Sequence, residues 1–265
     1  MLSIYFTAGF PNLEDTNIIL EELVQSGADM IEIGIPFSDP LADGPVIQHS
    51  NEVALKNGMT LKLLFEQLEK SKVKSQKSKV PMILMGYLNP VLQFGVENFC
   101  KRASEVGISG VILPDLPMDE YLSDYKPIFQ KYNLSTIFLI TPHTSEKRIR
   151  MIDDNSDGFI YMVSSSSTTG CPSPRCSDWG KPTLPDGANT RHGARRQGKG
   201  AETLKYFSRI KNMNLKNPLM IGFGISDRQS FSTACQYAHG AIIGSAFIKH
   251  LENGGEAGKF VSQIR

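Results

Sequence analysis

The chain has 265 residues, 40% of them hydrophobic and 21% charged, with a formal net charge of +1. That balance supplies an ordinary globular core and excludes wholesale disorder; it offers neither the basic excess of a nucleic-acid binder nor an acidic solvating tail. The length suits a single α/β barrel, which typically needs ~250 residues. No apolar run approaches the ~20 residues of a membrane span. The opening Met1-Leu2-Ser3-Ile4-Tyr5-Phe6 has no basic stretch before its apolar residues and reads as a strand, not a signal peptide. Cys100, Cys171, Cys176 and Cys235 are too few for a disulfide scaffold, so a reducing, cytoplasmic setting is expected.

In chain order, short β-branched or apolar runs alternate with longer amphipathic stretches. Ser3–Thr7 is the first predicted strand, and Asn12–Ser26 follows as a helix with Ile18, Ile19, Leu20, Leu23 and Val24 on its apolar face. Met30–Ile33 is a second strand and Leu61–Lys72 a later helix. Strands recur at Met82–Met85, Gly110–Leu113, Thr136–Ile140, Phe159–Val163, Pro218–Ile221 and Ala241–Ile243, with helical patterns between most of them, such as Val96–Val106, Glu120–Tyr132 and Ser145–Asp153. The alternation predicts parallel β/α units, and eight strands predict an α/β fold closed as a (β/α)8 TIM barrel, a single domain over 1–265.

Polar material gathers in two places, Pro36–Gly44 after the second strand and 164–200 after the sixth. Both follow the C-terminal end of a strand, where barrel enzymes build their sites. Within the second, Cys171–Gly200 differs from the rest: it holds Arg175, Arg191, Arg195 and Arg196 of a chain that otherwise prefers lysine, the single tryptophan Trp179, and no periodicity. A disordered insertion at about 171–200 is expected there. Cys171 and Cys176 lack a second ligand pair, and His192 alone does not complete a zinc site, so no metal is expected.

Glu32 lies between Ile31 and Ile33 on a strand and points opposite to both. A carboxylate so placed is costly unless paired or functional. It is either a salt-bridged structural acid or, with its proton affinity raised near the strand's C-terminal end, a general acid/base. Asp39 and Asp43 occupy Asp-Pro and Asp-Gly-Pro turns, where each could simply close an Asx turn; two acids just past Glu32 on one rim also fit a paired-carboxylate site. Gly222-Phe223-Gly224 follows the seventh strand, and Gly244-Ser245 follows the eighth and opens a helix over Ala246–Leu251. Either these are ordinary turns, or they form the phosphate cradle usual at that end of this fold, with Thr168-Thr169-Gly170 as a third edge.

The run Ile31-Glu32-Ile33-Gly34-Ile35-Pro36-Phe37-Ser38-Asp39-Pro40-Leu41-Ala42-Asp43-Gly44-Pro45 closely resembles the signature of the tryptophan synthase alpha subunit family. Further matches follow in family order: Met85-Gly86-Tyr87-Leu88-Asn89-Pro90, Pro114-Asp115-Leu116-Pro117, Tyr161 with Thr168-Thr169-Gly170, Gly222-Phe223-Gly224-Ile225-Ser226 and Gly244-Ser245-Ala246. The resemblance spans about 2–170 and 201–250. It implies a lyase of tryptophan biosynthesis that cleaves indole-3-glycerol phosphate to indole and glyceraldehyde 3-phosphate. Glu32 falls on the general acid/base, Asp43 on the acid that stabilises charge at the indole nitrogen, and Phe6 where the first strand nears the indole. Tyr161 matches a tyrosine beside the glycerol chain, Thr169 a mobile-loop threonine that positions the aspartate, and Gly170, Gly222, Gly224, Gly244 and Ser245 the phosphate loops. The resemblance also implies a beta-subunit partner in an alpha2-beta2 tetramer. Pyridoxal phosphate belongs to that partner, and this chain has no cofactor of its own.

Two features depart from the family pattern. The chain starts almost at its first strand, without the family's preceding helix, and its sixth loop is longer and unmatched until about Glu202. A genuine insertion and a compensated reading-frame shift both produce such a break. Two other readings compete. Another indole-pathway phosphate barrel would carry a catalytic lysine on an early strand, which is not seen. A catalytically impaired alpha-like subunit acting as an allosteric partner is favoured by the altered loop and disfavoured by intact Glu32 and Asp43.

Overall fold

Eight short strands pair in parallel in sequence order and close on themselves, the last returning to the first. This computed structural model describes residues 1–71, 73, 79–163, 202–222 and 224–265. The strands are β1 (Leu2–Thr7), β2 (Met30–Gly34), β3 (Met82–Met85), β4 (Gly110–Ile112), β5 (Ser135–Ile140), β6 (Ile160–Val163), β7 (Leu219–Gly222) and β8 (Gly240–Ile243). The architecture is the expected (β/α)8 barrel. Every residue of β1, β2, β4, β6, β7 and β8 is buried. Parallel strands covered on both faces need apolar residues at nearly every position, which is why the short β-branched runs marked them.

The helices are less regular than their sequence patterns. The first, α1, runs only over Asp15–Gln25, because the Asp15 carboxylate accepts from the Asn12 backbone N–H and ties the preceding residues into a turn. Its buried face carries Ile19, Leu20 and Leu23 with Val24 at the margin, whereas Ile18 is exposed. The helix α2 (Pro45–Lys56) starts immediately after Gly44, with Pro45 at the first helical position, where a missing N–H costs nothing. The stretch predicted as one helix over Glu120–Tyr132 is broken into Met118–Glu120, a π-helical turn Tyr121–Tyr125, and Lys126–Lys131. Pro127 accounts for the break: it has no N–H to bond the carbonyl of Ser123, so the pattern widens there. Tyr121 uses the wider turn to bury its ring edge-on against Phe138, centroids 5.1 Å apart.

Register decides what enters the barrel. Tyr5 lies opposite Glu32, and Glu32 opposite Ile83. Alternation then sets Ser3, Tyr5 and Thr7 on one face of β1 and Leu2, Ile4 and Phe6 on the other. Tyr161 on β6 stands across the ring from β2, yet its hydroxyl feels the charge of Glu32. Residues on strands so far apart meet only through the interior. The face with Ser3, Tyr5, Glu32 and Tyr161 therefore points inward.

Beyond β6 the described chain resumes with a helix over 202–211. The Tyr206 hydroxyl donates to the Ile140 carbonyl at 3.1 Å, and Arg209 to that of Pro142 at 3.0 Å, fastening this helix to the end of β5. The expected insertion at about 171–200, with Cys171, Cys176 and His192, lies outside the described residues, as do Thr168, Thr169 and Gly170. Of the cysteines, Cys100 and Cys235 are described, and both are free thiols.

Candidate active site

Glu32 is fully buried on β2. Its Oε1 accepts a hydrogen bond from Ser3 Oγ at 2.9 Å, and its Oε2 has no hydrogen-bond partner among the described residues. Among the described residues no basic group forms an ion pair with it, so the salt-bridged alternative finds no support. Burial pushes its pKa up to about 8, with the Ser3 hydroxyl pulling in the opposite direction. At neutral pH the carboxyl therefore carries a proton it can donate, and the carboxylate formed is a strong enough base to take one back.

Asp43, in the loop after β2, is also buried. The turn around it is closed by backbone groups: its N–H donates to the Pro40 carbonyl at 3.0 Å, and its carbonyl accepts from Gln48 Nε2 at 2.9 Å. Its carboxylate accepts from the Tyr87 hydroxyl at 3.1 Å, and that hydroxyl accepts in turn from the Ala42 N–H at 3.0 Å. Tyr87 stacks on Phe37, ring centroids 5.0 Å apart, so the loop and the end of β3 hold one another. Asp39 behaves differently. It is exposed and takes a hydrogen bond from its neighbour Ser38, as a turn residue does.

Two buried tyrosines complete the chamber. The acidity of Tyr161 is suppressed first by burial and then by Glu32, Asp43 and Tyr5; that of Tyr5 by burial and then mainly by Asp43. Both rings need glycine beside them. A β-carbon on Gly34 would lie 2.3 Å from the Tyr5 hydroxyl, and one on Gly222 would lie 2.1 Å from that of Tyr161. Gly222→Ala is accordingly expected to push the Tyr161 ring out of place, costing about 1–3 kcal/mol of stability and at least tenfold in kcat/KM. Urea melts and steady-state assays would check this, and a variant matching the parent in both would show that the ring is not fixed there. Phe6, on the opposite face of β1, is fully buried away from the chamber; Tyr5 is the first-strand aromatic inside it.

The ends of β7 and β8 carry the glycines. Gly222 closes β7, and Gly224 adopts φ +77°, a left-handed conformation that favours glycine. Gly244 precedes the helix Ser245–Glu252 and, having no side chain, gives it no cap. Its first-turn N–H groups suit an anion, with the helix dipole favouring negative charge. Gly244, Ser245 and Ala246 are only partly covered. Asp115, within a motif noted in the sequence, serves the scaffold: both carboxylate oxygens accept from the Leu88 N–H that opens the helix Leu88–Phe94, at 2.9 and 3.1 Å. Among the described residues, no group of three or more His, Cys, Asp or Glu could hold a metal ion.

A protonated buried carboxyl and a second carboxylate, both facing the tyrosines of one barrel interior, define a (β/α)8 enzyme equipped for acid–base chemistry. The family model of the tryptophan synthase alpha chain matches residues 1–179 and 192–263. The tryptophan synthase alpha chain of Flavobacterium johnsoniae is 53% identical over 267 residues, covering 100% of this chain and 95% of the relative. Among solved structures, tryptophan synthase subunit alpha from Legionella pneumophila aligns with a TM-score of 0.80 at 32% identity, covering 100% of this chain and 90% of that one. Tryptophan synthase from M. tuberculosis in an aminoacrylate-bound form aligns at 0.77 and 27% identity, covering 100% and 93%. The chain belongs to the tryptophan synthase alpha chain family. The family match leaves only 180–191 uncovered between its two segments, a shorter break than the sequence motifs suggest.

Proposed function

We propose that this chain performs the alpha reaction of tryptophan synthase, the retro-aldol cleavage of indole-3-glycerol phosphate to indole and glyceraldehyde 3-phosphate, with Glu32 as acid and base and Asp43 as the charge-stabilising carboxylate. The observation that carries the reading is the buried, protonated Glu32 facing the same chamber as Asp43. Glu32 gives its proton to indole C3, and the ring nitrogen becomes positive. Asp43 stabilises that charge in a site of low dielectric. The Glu32 carboxylate then takes the proton from the hydroxyl on the carbon attached to the ring. The C–C bond breaks, its electron pair returns to the ring, and the hydroxyl carbon becomes the aldehyde. Glu32 ends as it began, so the proton balance closes within one side chain.

Tyr5 supplies an aromatic wall for the indole, and Tyr161 lies beside the glycerol chain. Gly222, Gly224, Gly244 and Ser245 receive the phosphate at the helix N-terminus; the expected contributions of Thr169 and Gly170 fall on residues outside the described ones. Gly244→Asp tests the cradle. A carboxylate beside the phosphate is expected to weaken binding of the substrate, and of glycerol phosphate, by at least tenfold, with a small drop in the thermal melt because a β-carbon there lies 3.2 Å from the Tyr5 ring. Equal affinity for glycerol phosphate in variant and parent would rule the cradle out.

The indole passes to a beta subunit within an alpha2-beta2 tetramer. The pyridoxal phosphate chemistry belongs to that subunit, and this chain needs no cofactor of its own. The setting is cytoplasmic; among the described residues no helix is long and apolar enough to cross a membrane. No observation on the described residues favours a catalytically impaired subunit.

A further inference from the structure

Ser3 is fully buried on β1 and donates to Glu32 Oε1 at 2.9 Å, while Glu32 Oε2 has no partner among the described residues. Packing does not ask for a hydroxyl at this place. Ser3 stands between the fully buried Leu2 and Ile4, where an alanine or valine would bury no polar atom at all. A buried hydroxyl is costly unless bonded, and the carboxyl is what bonds it. Ser3 also shares the inward face with Tyr5, the residue opposite Glu32 in the strand register.

We propose that Ser3 is a positioning residue for the alpha reaction: its hydroxyl fixes Oε1 of Glu32, so that Oε2 alone exchanges the proton with the substrate. This rests on reading Glu32 as the acid and base. With Oε1 occupied as an acceptor, the carboxyl proton resides on Oε2. When that proton leaves, Ser3 is still donating to Oε1, and it is still donating when the proton returns. The same oxygen therefore gives to the ring and takes from the hydroxyl without any change in the Ser3 contact, and preorganisation of this kind lowers a barrier at no reorganisation cost.

The ionisable groups facing Glu32 are Tyr5 and Tyr161, with Asp43 beyond them. Both tyrosines have raised pKa values and stay neutral across the working range. A hydrogen bond to a charged acceptor is stronger than one to a neutral acceptor, so Ser3 stabilises the carboxylate more than the acid. Removing it should make Glu32 hold its proton more tightly.

The test measures kcat and KM for indole release against pH, and the titration of the Glu32 carboxyl by 13C NMR in the free protein. Parent, Ser3→Ala and Ser3→Thr are compared. In Ser3→Ala, kcat should fall about tenfold with KM within roughly twofold. The alkaline limb of kcat and the NMR midpoint should both move up by about one pH unit, and Ser3→Thr, which keeps the hydroxyl, should return both. An alanine variant with the parent's midpoint and pH profile would overturn the proposal. Glu32→Gln separates the two readings. If it is inactive while Ser3→Ala matches the parent, only the role of Ser3 falls; if it turns over normally, the acid/base reading falls and the role of Ser3 with it.

Discussion

Glu32→Gln is expected to abolish indole release while making the protein more stable in alkaline solution. The amide is nearly isosteric but cannot cycle a proton, and general acid/base catalysis is worth ~10²–10⁴-fold. Substrate affinity should stay close to that of the parent, because the phosphate and the indole are held elsewhere. The stability effect follows from the same side chain. Its pKa is about 8 in the folded protein against an ordinary value of 4.5. Between those values the folded state keeps a proton that the unfolded chain has lost, so parent stability falls as pH rises through this window and levels off above about 8. Glutamine has no such dependence. The variant should match the parent near pH 4 and exceed it by a few kcal/mol, in order of magnitude, near pH 9. Urea melts at the two pH values test the stability claim, and parallel pH dependences would refute it. Turnover above about a tenth of the parent's would refute the catalytic one.

Asp43→Asn is expected to lower kcat by roughly 10²–10³-fold, the usual cost of removing one group aimed at a transition-state charge. The bonds of the Asp43 N–H and carbonyl to Pro40 and Gln48 survive the substitution, so the variant should fold and melt like the parent. Tyr87 can still donate to the remaining amide oxygen. What is lost is negative charge near the indole nitrogen, which matters only once that nitrogen becomes positive. The loss should therefore appear in kcat, with substrate affinity nearly unchanged. A variant that changes KM alone would show that Asp43 only shapes the loop.

All eight strands were legible in the sequence because parallel strands covered on both faces read as unbroken apolar runs between polar turns. Glu32 was legible for the complementary reason, as a charge interrupting such a run. The phase of β1 was only half legible. Its alternation separates Ser3, Tyr5 and Thr7 from Leu2, Ile4 and Phe6, but the pairing of Tyr5 with Glu32 decides which set enters the barrel. Ile18 was misplaced because α1 carries more apolar residues than its buried stripe can use. Tyr87 stood in a quoted motif, but its bond to Asp43 was not legible because the two lie in different loops, and the role of Ser3 was not because a lone serine in a strand carries no pattern. The π-helical turn was hidden in a helical periodicity that Pro127 interrupts by only one hydrogen bond.

The glycines beneath the two tyrosines have a consequence for how this sequence can drift over generations. Gly34 and Tyr5 share one volume, as do Gly222 and Tyr161. A methyl group gained at either glycine must be met by atoms given up on the ring. Each pair is therefore inherited as a unit. A first change at 34 or 222 is harmful by itself, and the way back runs through a smaller residue at 5 or 161 as readily as through true reversion. Across descendants of this chain, side-chain size at the two members of each pair should vary in opposite directions.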